Sequence, residues 1–345
     1  METRLLGQSG LTVSVLTFGT MTFGGQGDQA KRVGSTDVAE ARRMIDMCLD
    51  AGVNIFDTAD VYSQGRSEEV LGAALEGRRD RVLVATKVFG RMGDGLNDLG
   101  LSRQHIVRAC EDSLRRLKTD YIDLYQAHGF DALTPLEETL AAFDDLIRAG
   151  KVRYIGCSNY SGWHLMKALS ISDRRGSARY ISQQVYYSLI GRELEYELVP
   201  LALDQNVGIL VWSPLAAGFL TGKFRRDGVS PEGTRRSIQA EPPINMPETQ
   251  AYDIVDALDA IARERNVSAA QVALNWLIRK PGVTSLVIGA RTMDQLQDNL
   301  NAATWSLSDE EMRRLDEVST TPAPYPAWHQ RKYGVIRNPL IPPTR

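Results

Sequence analysis

The chain has 345 residues and a formal net charge of −3, with 43% hydrophobic and 24% charged residues. This composition is typical of a folded protein with a sizeable core, and it lacks the basic excess that nucleic-acid binding usually requires. The N-terminal residues carry charges where a secretory signal needs an apolar run, and no stretch approaches the roughly 18 consecutive apolar residues of a membrane span, so we expect a cytoplasmic protein without a membrane partner.

The chain opens with a predicted β-hairpin over residues 1–16, in which Ser9 and Gly10 separate two β-prone runs. Short apolar segments then alternate with longer segments of helical period, which is the pattern of parallel strands joined by crossover helices. Eight segments have the length and composition of such strands: Val15–Thr20, Asn54–Ala59, Val82–Lys87, Tyr121–His128, Tyr154–Asn159, Tyr180–Val185, Gly208–Pro214 and Thr284–Gly289.

The segments between these strands carry apolar residues three and four positions apart and therefore predict helices. The clearest are Val38–Asp50, Arg103–Leu117, Leu136–Ala149 and Glu193–Asp204, with a further helix at about Ala251–Arg265. Eight such units predict an α/β protein of the (β/α)8 TIM-barrel class, with the hairpin closing the bottom of the barrel. An open doubly wound sheet is disfavoured because it would carry a Gly-rich nucleotide-binding turn, and the run GQGDQA at residues 25–30 opens no helical segment.

We expect one domain over residues 1–345, with two further segments added to the barrel. The Gly/Pro/Arg-rich stretch at residues 222–250 is too long for a simple connector, and we predict that it is a loop covering a cofactor, with a solvated basic loop as the alternative. Residues 321–345 form a C-terminal tail that contains Tyr325, Trp328 and Tyr333. This tail either lines the substrate site or docks against another subunit, so a homo-oligomer stays possible.

Disulfide bonds and metal ligands are not expected. The cysteines Cys48, Cys110 and Cys157 are few, widely spaced and odd in number, which favours buried reduced thiols. The four histidines show no HExxH pattern and no close pairing with cysteines or carboxylates, so we predict no metal site.

Polar residues at the ends of otherwise apolar strands are the candidates for chemistry, because the active site of such barrels lies at the carboxyl ends of the strands. Asp57, Lys87 and His128 end three consecutive predicted strands, and Tyr62 follows Asp57 by five residues. A carbonyl that receives a hydride develops negative charge on its oxygen and needs a proton donor there. Tyrosine is a weak acid, but an adjacent ammonium favours its phenolate form. We therefore predict Tyr62 as the proton donor and Lys87 as its charged partner, with Asp57 keeping Lys87 protonated and oriented. For His128 two roles stay open, a hydrogen bond to the substrate oxygen or a relay of the proton.

The sequence around these four residues resembles the aldo-keto reductases over nearly the whole chain. Asn54–Gly65 (NIFDTADVYSQG) is similar to the family signature that carries the aspartate and tyrosine, Ala85–Lys87 (ATK) to its lysine strand, and Gln126–His128 (QAH) to its histidine strand. The resemblance implies a reductase that converts an aldehyde or ketone to an alcohol by hydride transfer from NADPH, reversibly with NADP+, and that has a small-molecule carbonyl substrate.

A second function follows from the branch of the family that this chain resembles. The runs GTMTFGGQ, GLSRQHI, WSPLAAGFLTGKF and VIGARTMDQLQDN are similar to potassium-channel β subunits and related bacterial reductases. A protein of that kind would be a cofactor-binding regulatory module associated with a channel. The channel-binding branch has asparagine where this chain has His128, and this difference favours a working reductase.

The resemblance also implies how an extended dinucleotide is held across the barrel mouth. Ser158, Asn159 and Gln184 would surround the carboxamide of the nicotinamide, and Trp212 would stack beneath its ring, although a core tryptophan at the barrel rim is the alternative. The implied pyrophosphate contacts are Ser213, Pro214, Leu215, Gly218 and Lys223, and the implied adenosine-end contacts are Gly289, Arg291, Gln295, Asp298 and Asn299. Thr20, Met21, Gln26 and Asp57 complete the implied cofactor site.

Arg291 and Arg235 favour NADPH over NADH, because a guanidinium stacks on adenine and pairs with a 2′-phosphate. Many reductases of the family have a basic residue at the Gln295 position as well, so NADH stays possible.

Two questions are left open by the sequence. Substrate choice rests on variable loops, here Gly90–Leu101, His128–Leu133 and the tail, which gives candidates from simple aldehydes to bulky ketones. A barrel isomerase or aldolase that uses Lys87 as a Schiff-base nucleophile is a further alternative, although it leaves Tyr62 and Trp212 without roles.

Overall fold

The computed structural model describes residues 1–27, 34–224, 226 and 246–337. Within them, eight parallel strands form a closed barrel in chain order, and the last strand pairs with the first to complete it. A separate antiparallel hairpin consists of β1 (Thr3–Leu5) and β2 (Thr12–Ser14). The barrel strands are β3 (Leu16–Gly19), β4 (Ile55–Asp57), β5 (Leu83–Val88), β6 (Ile122–Ala127), β7 (Val152–Ser158), β8 (Tyr180–Tyr186), β9 (Gly208–Trp212) and β10 (Val283–Ile288).

Helices surround the barrel. They are α1 (Val38–Asp50), α2 (Arg66–Ala74), α3 (Arg103–Leu117), α4 (Leu136–Arg148), α5 (Gly162–Arg175), α6 (Leu198–Gln205), α7 (Glu248–Arg265), α8 (Ala269–Ile278), α9 (Met293–Asn301), α10 (Asp309–Val318) and α11 (Ala327–Arg337). Short 3-10 helices lie at Tyr62–Gly65, Arg79–Arg81, Glu193–Tyr196 and Ala216–Thr221. The predicted (β/α)8 barrel with an N-terminal hairpin and additional helices is therefore confirmed.

Local sequence explains the helices whose ends agree with prediction. Helix α1 begins after Asp37, whose carboxylate accepts a hydrogen bond from the Glu40 N–H at 2.9 Å. Ser102 caps α3 in the same way through the His105 N–H. Such caps satisfy backbone donors that have no partner inside the helix, so they define where the helix starts.

One predicted helix is two elements in the structure. The segment predicted at Glu193–Asp204 consists of a 3-10 helix at Glu193–Tyr196 and a separate α6 at Leu198–Gln205. Pro200 explains the break, because proline is tolerated in the first turn of a helix but not in its interior. The prediction of one continuous helix was wrong for this reason.

The hairpin closes the bottom of the barrel, as predicted. Leu6 and Val13 are fully buried and belong to a second apolar cluster with residues near the starts of the barrel strands: Ile55, Ala85, Leu124, Ile181 and Leu210. Gly7 has φ +56°, and a Cβ at this position would lie 2.1 Å from the Ile181 carbonyl oxygen. Only glycine allows the chain to approach the floor of the barrel so closely.

Strand periodicity then places polar groups above this apolar floor. Successive side chains of a strand point to opposite faces, so residues two apart line the same face. On each of four strands a residue of the mouth lies two positions after a residue of the floor: Asp57 after Ile55, Lys87 after Ala85, Gln126 after Leu124 and Trp212 after Leu210. The upper layer of the barrel interior is consequently polar, at the carboxyl ends of the strands.

Other predicted features lie partly outside the described residues. The predicted covering loop is described only at residues 222–224, 226 and 246–250, and the tail only as far as residue 337. In the tail, the Arg331 guanidinium lies over the Tyr196 ring at 5.1 Å, so α11 packs next to the segment that follows β8. Cys48, Cys110 and Cys157 are all buried and unbridged.

Across the described part of the chain, the helices are too short or too polar to span a membrane.

Candidate active site

A buried ion pair lies at the centre of the barrel mouth. Lys87 Nζ donates to Asp57 Oδ1 at 2.5 Å and to the Thr58 carbonyl oxygen at 2.7 Å. The side chains of Lys87 and Asp57 are 0% and 2% exposed. Because β4 and β5 are neighbouring parallel strands, their carboxyl ends bring these two residues together. An ion pair withdrawn from water interacts much more strongly than one on the surface.

Two glutamines hold the second oxygen of Asp57. Gln184 Nε2 donates to Asp57 Oδ2 at 2.8 Å, and Gln126 Nε2 lies 3.3 Å from the same atom. Asp57 therefore accepts hydrogen bonds from three sides, and its orientation is determined by the neighbouring strands. Gln184 was predicted as a contact of the nicotinamide carboxamide, whereas here its amide nitrogen binds Asp57. Gln126 was not predicted as a site residue, although it stands two residues before His128 on the same strand.

The charge of Lys87 is stabilised within the site. Burial lowers the pKa of this ammonium, but the charges of Asp57 and Tyr62 and their hydrogen bonds to it outweigh that effect, so the pKa lies above its ordinary value. The Lys87 nitrogen also lies 5.0 Å from the centre of the Tyr62 ring. The site therefore favours the charged form of this lysine, which lies next to the half-buried Tyr62.

Tyr62 stands at the start of a tight turn of unusual backbone geometry. Ser63, Gln64 and Gly65 all have positive φ, at 50°, 55° and 89°. Ser63 Oγ anchors the turn by donating to the Phe23 carbonyl oxygen at 3.0 Å. A Cβ on Gly65 would lie 2.7 Å from Arg116 Cδ, so glycine is required at this point. Such strained turns persist where the surrounding structure holds them in place.

His128 follows the last residue of β6 and contacts Tyr62. The two rings are 5.7 Å apart between centroids and meet edge to face, with 77° between their planes. Burial and the charge of Lys87 lower the pKa of His128 to about 3. The imidazole is therefore neutral at physiological pH and offers one N–H donor and one nitrogen acceptor. Asp57, Tyr62, Lys87 and His128 are thus brought together, while their catalytic roles stay predictions.

The predicted nicotinamide residues form one hydrogen-bonded chain across the mouth. Trp212 Nε1 donates to Asn159 Oδ1 at 3.0 Å, and Asn159 Nδ2 donates to Ser158 Oγ at 3.0 Å and to the His128 carbonyl oxygen at 3.1 Å. Ser158 Oγ donates in turn to the Gln184 carbonyl oxygen at 2.7 Å. These contacts link the indole to the residues around Lys87.

Tyr186 was missed by the sequence reasoning. Its ring centre lies 5.0 Å from that of Trp212, with 36° between the planes. Residue 186 is two positions after Gln184, at the end of β8, so strand alternation places it on the same face one layer higher. The spacing of two residues from Gln184 could have predicted that Tyr186 lies at the mouth. The mouth consequently carries two neighbouring aromatic rings.

The predicted pyrophosphate segment follows β9 and has a left-handed backbone at several positions. Ser213, Ala216, Ala217 and Gly218 have φ of 52°, 48°, 55° and 93°. The Ala217 N–H donates to Ser213 Oγ at 3.1 Å. Pro214 is buried, Leu215 is half-buried and Lys223 is exposed. The segment is therefore a tight irregular turn on the rim, with its lysine side chain in solvent.

The predicted adenosine end lies where β10 passes into α9. Gly289 is exposed, and the Arg291 N–H donates to Gln295 Oε1 at 2.9 Å. Asn299 Nδ2 donates to the Gly289 carbonyl oxygen at 3.1 Å, which supports this turn from below. The Asp298 carboxylate is engaged elsewhere, because it accepts from Ser268 Oγ and Gln271 Nε2 at 2.7 Å each. Arg235 lies outside the described residues.

The remaining predicted cofactor contacts are near β3. Thr20 is fully buried, and its hydroxyl lies 2.9 Å from Ser67 Oγ and 3.2 Å from the Asp57 carbonyl oxygen. This side chain therefore braces the loop that carries Asp57. Met21 is half-buried and Gln26 is exposed at the end of the described part of that loop.

Among the predicted substrate loops, residues 128–133 carry an aromatic stack. Phe130 lies against His164 with 3.5 Å between ring centroids and 18° between their planes. Trp163, which is 59% exposed, lies 3.6 Å from the same imidazole. The loop after His128 is consequently bordered by exposed aromatic surface.

Comparisons with known proteins agree with this architecture. Residues 15–320 match the family model described as Aldo/keto reductase family. The chain is 39% identical over 333 residues to the uncharacterized oxidoreductase YrpG of Bacillus subtilis, covering 93% of this chain and 97% of the relative. It is 38% identical over 311 residues to a probable voltage-gated potassium channel subunit beta of Arabidopsis thaliana, covering 88% and 91%. It is 34% identical over 346 residues to the versiconal hemiacetal acetate reductase of Aspergillus parasiticus, covering 94% and 99%.

The family match spans most of the chain, and each of these relatives is aligned over nearly its whole length. The closed barrel and the polar group at its strand ends are consistent with the same assignment. The match supports an oxidoreductase that acts on small carbonyl compounds with a nicotinamide cofactor. The chain belongs to the aldo/keto reductase family.

Proposed function

We propose that this protein reduces an aldehyde or ketone to an alcohol with NADPH, that Tyr62 donates the proton, and that the reaction is reversible with NADP+. The observation that carries the proposal is the buried Lys87 ammonium, which contacts both Asp57 and Tyr62. Proton donation by a tyrosine needs a neighbouring positive charge that stabilises the phenolate left behind.

Asp57 keeps this charge in place. Its carboxylate balances the ammonium inside the barrel, and the amides of Gln126 and Gln184 orient it. When a substrate oxygen becomes negative, the Tyr62 hydroxyl transfers its proton to that oxygen, and Lys87 stabilises the resulting phenolate. Because all these groups are held before the substrate binds, the reaction requires little reorganisation of charge.

His128 contributes a neutral hydrogen-bond donor. Its depressed pKa makes it unsuitable as a cationic acid near neutral pH. As a neutral imidazole it can bind the substrate carbonyl oxygen and orient it toward Tyr62, whose ring it contacts.

The residues at the mouth fit a dinucleotide. A Cβ at Gly218 would have no neighbour within 4 Å, and one at Gly289 would reach only the Gly19 carbonyl oxygen at 4.0 Å, so both glycines leave open space at the predicted phosphate and adenosine positions. When bound, the nicotinamide supplies the hydride. Asn159, Trp212 and Tyr186 would orient its ring at the mouth, and Arg291 would favour the 2′-phosphate of NADPH over NADH.

The contacts of Lys87 disfavour Schiff-base chemistry. A lysine nucleophile must be a neutral amine, whereas the ion pair with Asp57 stabilises the charged form. A regulatory role at a channel is supported by relatives in Arabidopsis thaliana and Oryza sativa that are named probable voltage-gated potassium channel subunit beta. It remains the second candidate, and it predicts cofactor binding with little or no turnover.

The test combines cofactor binding with turnover. Purified protein is titrated with NADPH and with NADH by fluorescence, and reduction of 4-nitrobenzaldehyde is followed at 340 nm. We expect NADPH to bind more tightly than NADH. We expect the variant Tyr62→Phe to bind NADPH normally and to lose at least about 100-fold in kcat/KM, since general acid catalysis contributes that much.

The matched control is Tyr121→Phe, which changes a tyrosine outside the mouth, just before β6. Failure to bind either cofactor would contradict the proposal, as would equal activity of Tyr62→Phe and the native protein. Binding without turnover across a panel of aldehydes and ketones would favour the regulatory alternative.

A further inference from the structure

A tight turn follows β8 and leads from the barrel mouth into the core. The Ser188 N–H donates to the Gly191 carbonyl oxygen at 3.2 Å, and the Gly191 N–H donates to the Ser188 carbonyl oxygen at 3.1 Å. Leu189 and Ile190, which form the tip between them, are fully buried in the main apolar core. The turn is therefore held at both of its ends and at its tip.

Arg192 anchors the next residue of the chain to the outer helices. Its guanidinium donates to both carboxylate oxygens of Glu195, at 2.8 and 2.9 Å. It also donates to the Asp316 carbonyl oxygen at 3.0 Å and to Ser319 Oγ at 2.7 Å. Such a two-pronged, largely buried pair is strong and directional, so the turn is tied to the C-terminal end of α10.

Tyr186 packs directly against this turn. Its hydroxyl lies 3.0 Å from Ser188 Oγ. A Cβ on Gly191 would lie 2.2 Å from Tyr186 Cε1 and 2.9 Å from Cζ, so the ring fills the space that a side chain at position 191 would need. Only glycine allows backbone and ring to approach so closely. The position of the Tyr186 ring is consequently determined by the backbone of the turn.

Tyr186 also contacts Trp212, which half-faces the mouth. The two residues stand in register on the neighbouring parallel strands β8 and β9, with 5.0 Å between their ring centres and 36° between their planes. The indole is held elsewhere by one hydrogen bond, from Nε1 to Asn159 Oδ1 at 3.0 Å. A single hydrogen bond lets a ring tilt about its axis, whereas a neighbouring ring limits that tilt. Together the two contacts determine the plane of the indole.

We propose that the turn at residues 188–191 positions the indole of Trp212 through Tyr186, and that Gly191 and Tyr186 thereby determine how tightly the nicotinamide end of the cofactor binds. The inference rests on the proposed function, in which the nicotinamide ring lies on Trp212. Gly191 and Tyr186 are positioning residues, because they act through the indole.

The physical reason is that stacking depends on the angle between two rings. A turn anchored in the core presents the indole in one plane before the cofactor arrives, so little ordering is needed on binding. The predicted adenosine-end contacts Arg291 and Gln295 follow a different strand, β10. A change in the turn should therefore weaken contacts at the nicotinamide end and leave those at the adenosine end intact.

The test compares two ligands on the full chain by isothermal titration calorimetry: NADPH, and 2′-phosphoadenosine 5′-diphosphoribose, which lacks the nicotinamide. Gly191→Ala places a methyl group where the Tyr186 ring lies, and Tyr186→Leu removes the ring. We expect each variant to weaken NADPH binding about fivefold, the size of one aromatic contact, and to change the affinity of the fragment by less than about twofold. An equal loss for both ligands would overturn the proposal, because it would indicate general damage to the fold.

A double variant tests the route through the indole. In the Trp212→Ala background, Gly191→Ala should weaken NADPH binding by less than about a further twofold, since the ring that it positions is absent. Effects that multiply in full would overturn the proposal, because the two residues would then act independently. Gly10→Ala is the matched control, since its Cβ would have no neighbour within 4 Å, and it should bind both ligands as the native protein does.

Thermal unfolding verifies that each variant is folded. If Gly191→Ala does not fold, Tyr186→Leu carries the same comparisons, alone and in the Trp212→Ala background, because it adds no atoms at the crowded point.

Failure of this inference is distinguishable from failure of the proposed function. Native protein that binds no NADPH would contradict the proposed function itself. Native protein that binds NADPH, loses affinity in Trp212→Ala and keeps its affinity in both Gly191→Ala and Tyr186→Leu would overturn only the positioning role of the turn.

Discussion

The ammonium of Lys87 is held 2.5 Å from Asp57 Oδ1 in a part of the barrel that water does not reach. Both groups lie above an apolar floor formed by the N-terminal hairpin and the starts of the strands. The floor prevents solvent from screening the pair from below, so the charge acts mainly toward the mouth, where Tyr62 lies.

Replacement of Lys87 by methionine removes this charge and leaves Asp57 buried without its partner. We expect kcat/KM for carbonyl reduction to fall at least about 100-fold. We also expect the free energy of unfolding to fall by about 3–5 kcal/mol, because breaking a buried ion pair leaves one charge uncompensated. Steady-state kinetics and denaturant unfolding measure the two effects. Lys167→Met, at an exposed position of α5, serves as the control, and equal losses in the two variants would contradict the role of the pair.

His128 should contribute no ionisation to the activity near neutral pH. Its pKa of about 3 in the folded protein, against 6.5 ordinarily, means that it stays neutral throughout the usual assay range. We therefore expect the profile of kcat/KM from pH 5 to 8 to lack a titration step near pH 6.5. The profile of His128→Asn should have the same shape over this range. The stability consequence has a defined sign: the unfolded chain binds the proton first, so the folded state loses stability as the pH falls from about 6.5 toward 3. An NMR titration that finds His128 protonated at pH 6 would contradict this prediction.

The ionisation of Asp60 should make the folded state less stable as the pH rises, whereas that of His128 makes it less stable as the pH falls. Burial and the charge of Glu68 raise the pKa of Asp60 to about 8 in the folded protein, from 3.8 ordinarily, so the folded state holds a proton that the unfolded state releases between these values. The stability from this proton is complete below about pH 4 and is lost as the pH rises through 8. Asp60→Asn should therefore raise the melting temperature, relative to the native protein, more at pH 8.5 than at pH 5. A difference that does not change with pH would show that Asp60 ionises normally.

Trp212 should affect cofactor binding more than chemistry. Its indole lies beside Tyr186 and donates to Asn159, which fixes its orientation at the mouth. We expect Trp212→Ala to raise the dissociation constant of NADPH about tenfold, equivalent to about 1.4 kcal/mol of lost stacking and packing. The exposed Trp163 supplies the control Trp163→Ala. Fluorescence titration with NADPH compares the two, and unchanged affinity in Trp212→Ala would place the cofactor away from this ring.

The hairpin should matter for stability and not for substrate binding. Leu6 is fully buried against the floor of the barrel, whereas its neighbour Leu5 is 61% exposed. We expect Leu6→Ala to lower the free energy of unfolding by about 2–5 kcal/mol, and Leu5→Ala to change it by less than about 0.5 kcal/mol. Equilibrium unfolding and KM for a model aldehyde are measured for both. A similar loss of stability in the two variants would contradict the closing role of Leu6.

Local signals in the sequence were sufficient for the elements and for much of the site. The apolar alternation of the strands and the caps at Asp37 and Ser102 depend on neighbouring residues alone, so the barrel and several helix ends were predictable. The placement of Asp57, Lys87 and His128 at strand ends followed from the same pattern. Strand ends differed by up to two residues because the pairing of neighbouring strands decides where a ladder stops, as in the short β4.

Contacts between distant parts of the chain were decided only by the tertiary structure. The family resemblance implied Gln184 at the mouth and gave no role to Gln126, and neither residue was expected to donate to Asp57. No role was predicted for Asp60 from the sequence, and folding buries it near Glu68 with one carboxylate oxygen unpartnered among the described residues. The sequence by itself determined which side chains reach the mouth, since that depends on a period of two along each strand. Their hydrogen bonds and charge states depend on burial and on partners far along the chain, and these arise only when the barrel closes.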